Sequence, residues 1–245
     1  MTPASPSVTV LVAAYNEAPI IGTVVREALR AVPSGEVLVV DDGSTDGTDR
    51  VAADAGARVL RVSPNGGKGA AIRRGLPEAR GAVIVLIDGD GQDDPAEIPQ
   101  LVKALHPDVD LVVGSRFIGT LEPGAITPVN RWGNRFLTSV LNRLFGTQLT
   151  DTQAGFKAFR ADMLRRVTLR AHRFDIEVDL LLGVLCAGGR IVEVPVRRGP
   201  RPHGASRLNS VRDGTRILRR IVALRLGAGA RSVAGGPASE ADTRR

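Results

Sequence analysis

Six stretches of the chain are nearly unbroken apolar runs: 8-VTVLVAA-14, 36-EVLVV-40, 58-RVLRV-62, 82-AVIVLI-87, 110-DLVVG-114 and 191-IVEVPV-196. They are rich in β-branched residues and bounded by Asp, Gly or Pro, and they lack the strict alternation of a strand with one wet face. Strands of this kind are covered on both faces, as in a parallel sheet. Amphipathic stretches lie between them. In the first, Ile20, Ile21, Val24, Ala28 and Leu29 repeat at helical spacing, with Asn16 as N-cap and Pro19 in the first turn. Others run over 46–55, 69–79 and 95–105. The β-α-β-α order predicts an α/β fold, a doubly wound and mostly parallel sheet with helices on both faces.

After Gly114 the rhythm changes. A turn-rich segment, 119-GTLEPGAITP-128, precedes a helix near 130–145, the stretch 151-DTQAGFKAF-159 and a helix over 175–187. A last helix spans 208–226, and residues 227–245 have the composition of a disordered tail. The second half is built onto the first, so one domain over 1–226 is expected.

Ligands of open parallel sheets bind outside the carboxyl ends of the strands. Polar groups collect there: Tyr15-Asn16-Glu17, Asp41-Asp42 and Asp88-Gly89-Asp90-Gly91-Gln92. No G-x-G-x-x-G follows the first strand, and Asn65-Gly66-Gly67-Lys68-Gly69 lacks the spacing and hydroxyl of a P-loop. Asp88, Asp90 and Gln92 alternate along an extended segment, so their side chains emerge on one side. Hard carboxylate and amide oxygens suit Mg2+ or Mn2+, which keeps waters and accepts phosphate oxygens. An EF-hand loop would need Gly at 93 and Glu at 99, where the chain has Asp93 and Pro99. A plain turn with Asp93 and Asp94 capping the helix after it is the structural alternative, and it leaves Asp88 and Asp90 without a role.

Composition changes this picture in two ways. The net charge of +7 is uneven, because residues 197–245 carry 12 basic and 3 acidic side chains. That asymmetry suggests an anionic partner, although a solvated basic helix fits as well. The second is cysteine: a lone Cys186 excludes a disulfide framework and points to a reducing, cytoplasmic compartment. No secretory leader is expected from MTPASPSVTVLVAAYNE, and no run reaches the ~20 apolar residues of a membrane span. Nucleic acid is not an expected partner, since aromatics at 3% offer no stacking platform.

The set VLVAAYNEAPII, EVLVVDDGSTDGT, NGGKGAAIRRG and VIVLIDGDGQDDP resembles the inverting glycosyltransferases of family 2, which have the GT-A fold. Further pieces, GSR at 114–116, DTQAGFKAF, FDIEVDLLL at 174–182, EVPV at 193–196 and RPHGASR at 201–207, are similar to the polyprenyl-phosphate (dolichyl-phosphate) sugar synthases within it. The resemblance implies a nucleotide-sugar half over about 1–114, and an acceptor half with a C-terminal helical extension over 115–226. It implies that Ala14, Tyr15, Glu17, Asp42, Lys68, Asp88 and Gly89 bind a nucleotide-diphosphate sugar. Asp88, Asp90 and Gln92 would hold the metal. Arg116, Arg131 and Arg201 would surround an acceptor phosphate, with Ser206, Asp151 and Asp175 nearby, so that Asp90 and the three arginines form the catalytic set. Two departures, Ala13 where the family often has Pro and H-G-A-S-R where many members have an acid and a lysine, bear on the identity of sugar and acceptor.

A polyprenyl phosphate is the favoured acceptor, because the arginines flank the implied site and the subgroup motifs agree; a phosphate monoester, with a second pKa of about 6, is already anionic and would need no strong base. A hydroxyl acceptor, on a polysaccharide or small metabolite, would need a carboxylate base; Asp151, Asp175 and Glu177 are the candidates. A lipid acceptor calls for an anionic membrane surface or an integral membrane partner, and a peripheral place on the inner face of the membrane. In the helix 208–226, Arg212, Arg216, Arg219 and Arg220 share one sector, with Leu208, Val211, Leu218, Ile221 and Val222 opposite.

Overall fold

The computed structural model of the protein describes residues 7–205 and 209–234, the last seven as backbone only. Its elements run β1 (Val8–Ala14), α1 (Ala18–Ala31), β2 (Glu36–Asp41), α2 (Thr48–Asp54), β3 (Arg58–Arg61), α3 (Lys68–Gly75) and β4 (Val83–Asp88). They continue with α4 (Ile98–Ala104), β5 (Leu111–Leu121), α5 (Pro128–Phe145), β6 (Lys157–Arg160), α6 (Ile176–Cys186), β7 (Ile191–Arg198) and α7 (Ser210–Ala234). One seven-stranded sheet has the order β3-β2-β1-β4-β6-β5-β7. β6 alone is antiparallel to its neighbours, β4 and β5.

The apolar runs are covered on both faces, as their lack of alternation requires. Val10, Val12, Val37, Val39, Val83 and Val85 pack into one layer with Ile21, Val24 and Val25 of α1 and Ile98 and Leu101 of α4. The alternate positions, Leu11, Leu38, Val40, Ile84 and Leu86, face α3 and α6 on the other side. A third cluster joins Leu137 and Leu141 of α5, Val178 and Leu182 of α6, and Ile217 and Ile221 of α7. This third cluster holds α5 and α7 against α6, which itself packs on the sheet.

Several boundaries differ from the sequence reading. β5 runs through the start of the turn-rich segment to Leu121, because residues 120–121 pair with Arg197 and Arg198 of β7 beyond an irregularity. β6 was not expected; four residues containing a lysine show no strand pattern until β4 and β5 bracket them. α7 continues to Ala234, eight residues past its expected end, while residues 235–245 lie outside the described residues. Asn16 is not the cap of α1. It has φ 56°, and its side-chain oxygen accepts from Thr45 N at 2.9 Å. Asp94 does cap the turn before α4, accepting from Ala96 N at 2.9 Å, whereas Asp93 turns inward.

Candidate active site

The parallel strands β1, β2, β4, β5 and β7 deliver their carboxyl ends to one edge of the sheet. The strand order reverses beside β1, which opens a crevice there. A cavity of about 900 Å³ occupies it, lined by Ala14, Tyr15, Glu17, Asp42, Lys68, Asp88, Gly89 and Asp90, among others. Every residue expected to bind the nucleotide-sugar therefore lies on one wall.

The loops are laced to the strand ends. Glu17 N donates to Thr48 Oγ1 at 2.8 Å and Asn16 N to Ser44 Oγ at 2.8 Å, which ties the end of β1 to the D-D-G-S-T-D-G-T loop. The Asp42 carboxylate accepts from Gly66 N at 2.9 Å and Gly67 N at 2.7 Å, and burial pushes its carboxyl above the usual range. Gly67 has φ +91°, a backbone that only glycine adopts without strain.

The floor of the cavity is a buried charge chain. Lys68 Nζ lies 2.5 Å from Asp88 Oδ1 and 2.7 Å from Glu177 Oε1, and Glu177 also pairs with the fully buried Lys157. Burial opposes the charge on Lys68, but Asp88 and Glu177 outweigh it and hold the ammonium above its ordinary value. Burial likewise opposes the charge on Asp88, yet Lys68 and Arg198 keep that carboxyl low. For Lys157 burial wins, and its ammonium falls below the ordinary value despite Glu177. Gly155 packs against this chain. A Cβ there would stand 2.8 Å from Lys68 Nζ and 2.9 Å from Asp88 Oδ2. Gly155→Ala is expected to cut turnover roughly tenfold or more by displacing these groups, with a smaller effect on the melting temperature. Parallel turnover and thermal-unfolding measurements check it; unchanged turnover would refute the close packing.

Asp90 faces a different set. Its Oδ2 lies 3.1 Å from Arg201 Nη1 and 3.8 Å from Arg198 Nη2, and Arg201 also pairs with Glu17. Burial and the neighbouring Asp88 charge push the Asp90 carboxyl above the usual range. Opposite this wall, Arg116 and Asp151 form a buried two-pronged pair, Nε to Oδ2 at 2.6 Å and Nη2 to Oδ1 at 2.8 Å. Asn134 of α5 donates to the same carboxylate at 2.9 Å, and Glu193 of β7 accepts from the backbone N–H groups of Thr150 and Asp151.

A family model described as glycosyl transferase family 2 matches residues 9–168, well over half of the chain. This chain belongs to glycosyl transferase family 2. It is a glycosyltransferase, and its sheet is the GT-A fold. Glycosyltransferase AglJ of Haloferax volcanii is 34% identical over 214 residues, 86% of this chain and 70% of that protein. The undecaprenyl-phosphate mannosyltransferase of Micrococcus luteus is 35% identical, covering 82% of this chain and 87% of its own. Among solved structures, glucosyl-3-phosphoglycerate synthase from Mycobacterium tuberculosis in complex with Mn2+, UDP and glucosyl-3-phosphoglycerate is 26% identical. It matches with a TM-score of 0.72 over 92% of this chain and 80% of that one.

In this family 2 transferase the expected site residues divide. Arg116 and Arg201 line the cavity, but Arg131 is exposed and does not; Asn130, Gly133, Asn134 and Leu137 are on the cavity side of α5. The 100° step from Asn130 carries Arg131 off that face. Asp151 lies behind Arg116 and orients it, being fully buried. Asp175 opens α6, accepts from Arg173 N at 3.1 Å and does not line the cavity, whereas Glu177 does. Ser206 lies outside the described residues. Gln92 lines the cavity, yet its amide donates to Ala125 O and Gly199 O and its oxygen accepts from Arg198 Nη2 at 2.8 Å. It ties loops together through these bonds. Arg198 was missed in the sequence, where only the basic run R-R-G-P-R marked it. Asp88 and Asp90 fit a divalent cation as donors. Among the described residues no cluster of three or more His, Cys, Asp or Glu could cage one, and magnesium-type sites commonly combine one or two carboxylates with substrate phosphates.

Proposed function

We propose that this glycosyltransferase moves a sugar, with inversion, from a nucleotide-diphosphate sugar to a polyprenyl phosphate. The observation that carries the reading is the contrast between the cavity's two ends. One end holds Asp88, Asp90, Lys68, Arg198 and Arg201. The other is walled by Val129, Trp132 and Phe136 of α5 and by Val211 and Leu218 of α7. Trp132 is 70% exposed and stacks on Phe136 with ring centroids 5.7 Å apart, an open apolar wall of the kind an isoprenoid chain covers. A small phosphorylated acid has no use for it.

Asp88 and Asp90 would hold Mg2+ or Mn2+, which supplies charge neutralisation to the departing diphosphate. An acceptor phosphate oxygen attacks the anomeric carbon from the face opposite the diphosphate. The new C–O bond forms as the old one breaks, and the electron pair leaves with the nucleoside diphosphate. Arg116, aimed by Asp151, and Arg201 position the acceptor phosphate. The anionic phosphate needs no base, in keeping with Asp151 locked on Arg116 and Glu177 locked between two lysines.

None of the described helices is long and apolar enough to cross a membrane. Access to a lipid is proposed through a peripheral contact on the inner, cytoplasmic face, made by α5 and α7 or with an integral membrane partner. On α7, Val211, Val222 and Leu226 are exposed, while Ile217 and Ile221 pack inward. The sector of four arginines is reduced, since Arg216 pairs with Asp213 at 2.9 Å and Arg220 with Asp179. Arg212 and Arg219 remain exposed to meet an anionic leaflet.

The test is a panel of nucleotide-sugars with Mn2+ and either a short polyprenyl phosphate or 3-phosphoglycerate. An organic-extractable, mild-acid-labile product is expected only with the lipid phosphate; transfer to 3-phosphoglycerate alone would replace this reading with the hydroxyl one. Trp132→Ser/Phe136→Ser is expected to raise KM for the lipid phosphate about tenfold or more, with kcat little changed, since truncated aromatic anchors carry much of an interface's affinity. An unchanged KM would remove the apolar wall from the acceptor site.

A further inference from the structure

Arg198 ends β7, and the two-residue period of the strand buries it with Val196 while Arg197 faces solvent and pairs with Glu122. Its guanidinium is clamped from behind. Nη1 donates to Asp93 Oδ2 at 2.7 Å and Nη2 to Gln92 Oε1 at 2.8 Å. Gln92 is itself fixed, because its side-chain amide donates to Ala125 O and Gly199 O and its own carbonyl accepts from Gly199 N at 2.9 Å. A cation held this way loses little freedom when a ligand arrives. Among the described residues these bonds engage two of the five N–H groups that a guanidinium carries.

On its cavity side Arg198 meets Asp90 at 3.8 Å, too far for a hydrogen bond. The other cations at this end are committed. Lys68 lies between Asp88 and Glu177, and Arg201 is engaged by Glu17, Asp90 and the His203 carbonyl. Among the described residues those contacts take two of the three N–H groups of Lys68 and three of the five of Arg201, against two of five for Arg198. Arg198 keeps the most donors uncommitted.

We propose that Arg198 is a resident cation of the diphosphate site, sharing the field of Asp88 and Asp90 with the divalent metal and donating to a phosphate oxygen of the nucleotide diphosphate. This rests on the donor half of the proposed function. Arg198 and a dication repel each other beside the same two carboxylates, while both attract a diphosphate. Removing Arg198 therefore strengthens metal binding to the free protein and weakens metal-free binding of the nucleotide. Loss of local structure would weaken both.

The experiment is calorimetry on the full chain, titrating Mn2+ alone, and UDP and GDP in EDTA. Arg198→Met is expected to bind the nucleotide roughly tenfold more weakly and Mn2+ several-fold more tightly, the size of one charge-assisted hydrogen bond to phosphate. Asp93→Asn keeps an amide oxygen for Nη1 and removes the charge behind Arg198. It should shift both affinities the opposite way, with tighter nucleotide and weaker Mn2+. Arg197→Met, on the outer side of the strand, is the control and should leave both within about twofold. If both affinities fall together in Arg198→Met, or neither variant moves beyond the control, Arg198 is structural and the inference is wrong. Wild-type protein that binds neither Mn2+ nor nucleotide would instead overturn the donor site itself.

Discussion

Replacing Asp90 with asparagine is expected to cut sugar transfer by about 10²–10³-fold while leaving the fold intact, the scale on which a group that stabilises transition-state charge acts. Asp90 lies at a strand end on the cavity wall and contributes nothing to the apolar layers. Its carboxyl is pushed up by burial and by Asp88, so the free protein holds this charge at a cost that a neutral amide relieves. The melting temperature should accordingly hold or rise slightly. Asp88→Asn is expected to lose transfer as severely, and it also leaves Lys68 with Glu177 as its remaining partner. Steady-state rates with saturating Mn2+, set beside thermal unfolding of the same samples, decide the matter. Near-normal turnover in either variant would remove the metal from the mechanism.

Asp151→Ala should show the largest loss of stability, about 3–5 kcal/mol, because it leaves the Arg116 guanidinium buried without its counter-charge. Arg116 is 8% exposed and Asp151 wholly buried, so water cannot replace the lost carboxylate. The effect has a pH signature. Burial opposes the Asp151 charge, but Arg116 and its hydrogen bonds hold the carboxyl below its ordinary value of about 3.9. A lowered folded value means the stabilisation is fully present above the unfolded value and is lost as pH falls through the folded one. The gap in unfolding free energy between wild type and Asp151→Ala should thus be constant from pH 7 to about pH 5 and narrow below about pH 4. Denaturant melts across that range measure it. A gap that stays constant into the acid range would show that the pair does not carry the stability.

The sheet was legible because burial on both faces leaves a mark on every residue of a strand, and runs such as 83-VIVLI-87 carry that mark locally. The polar edge of the sheet was legible for a related reason. In parallel strands the residue after each apolar run falls at the same edge, so Tyr15, Asp42 and Asp88 converge whatever the loops between them do. β6 escaped notice because its burial comes from strands far away in the chain, and its Lys157 breaks the apolar run that would announce it. The engagement of Gln92 was hidden for the opposite reason. Its place in a D-G-D-G-Q segment suits a ligand, and only the packing of Ala125, Gly199 and Arg198 around it shows its amide engaged.

The sequence by itself determined the alternating layers and the polar edge, which follow from periodicity and from residues adjacent to strand ends. Its motifs carried the resemblance that implied the reaction class. Tertiary structure alone decided which charges meet. Arg201 reaches Asp90 across 111 residues, Arg198 reaches Asp93 across 105, and Asp151 aims Arg116 from 35 residues away. Those pairings depend on strand order and on where β6 inserts between β4 and β5, and no spacing along the chain encodes that distance in space. An arginine's position in sequence shows that a cation is available. Its partner, and so whether it is spent on a carboxylate or ready for a phosphate, is set by the neighbours that folding supplies.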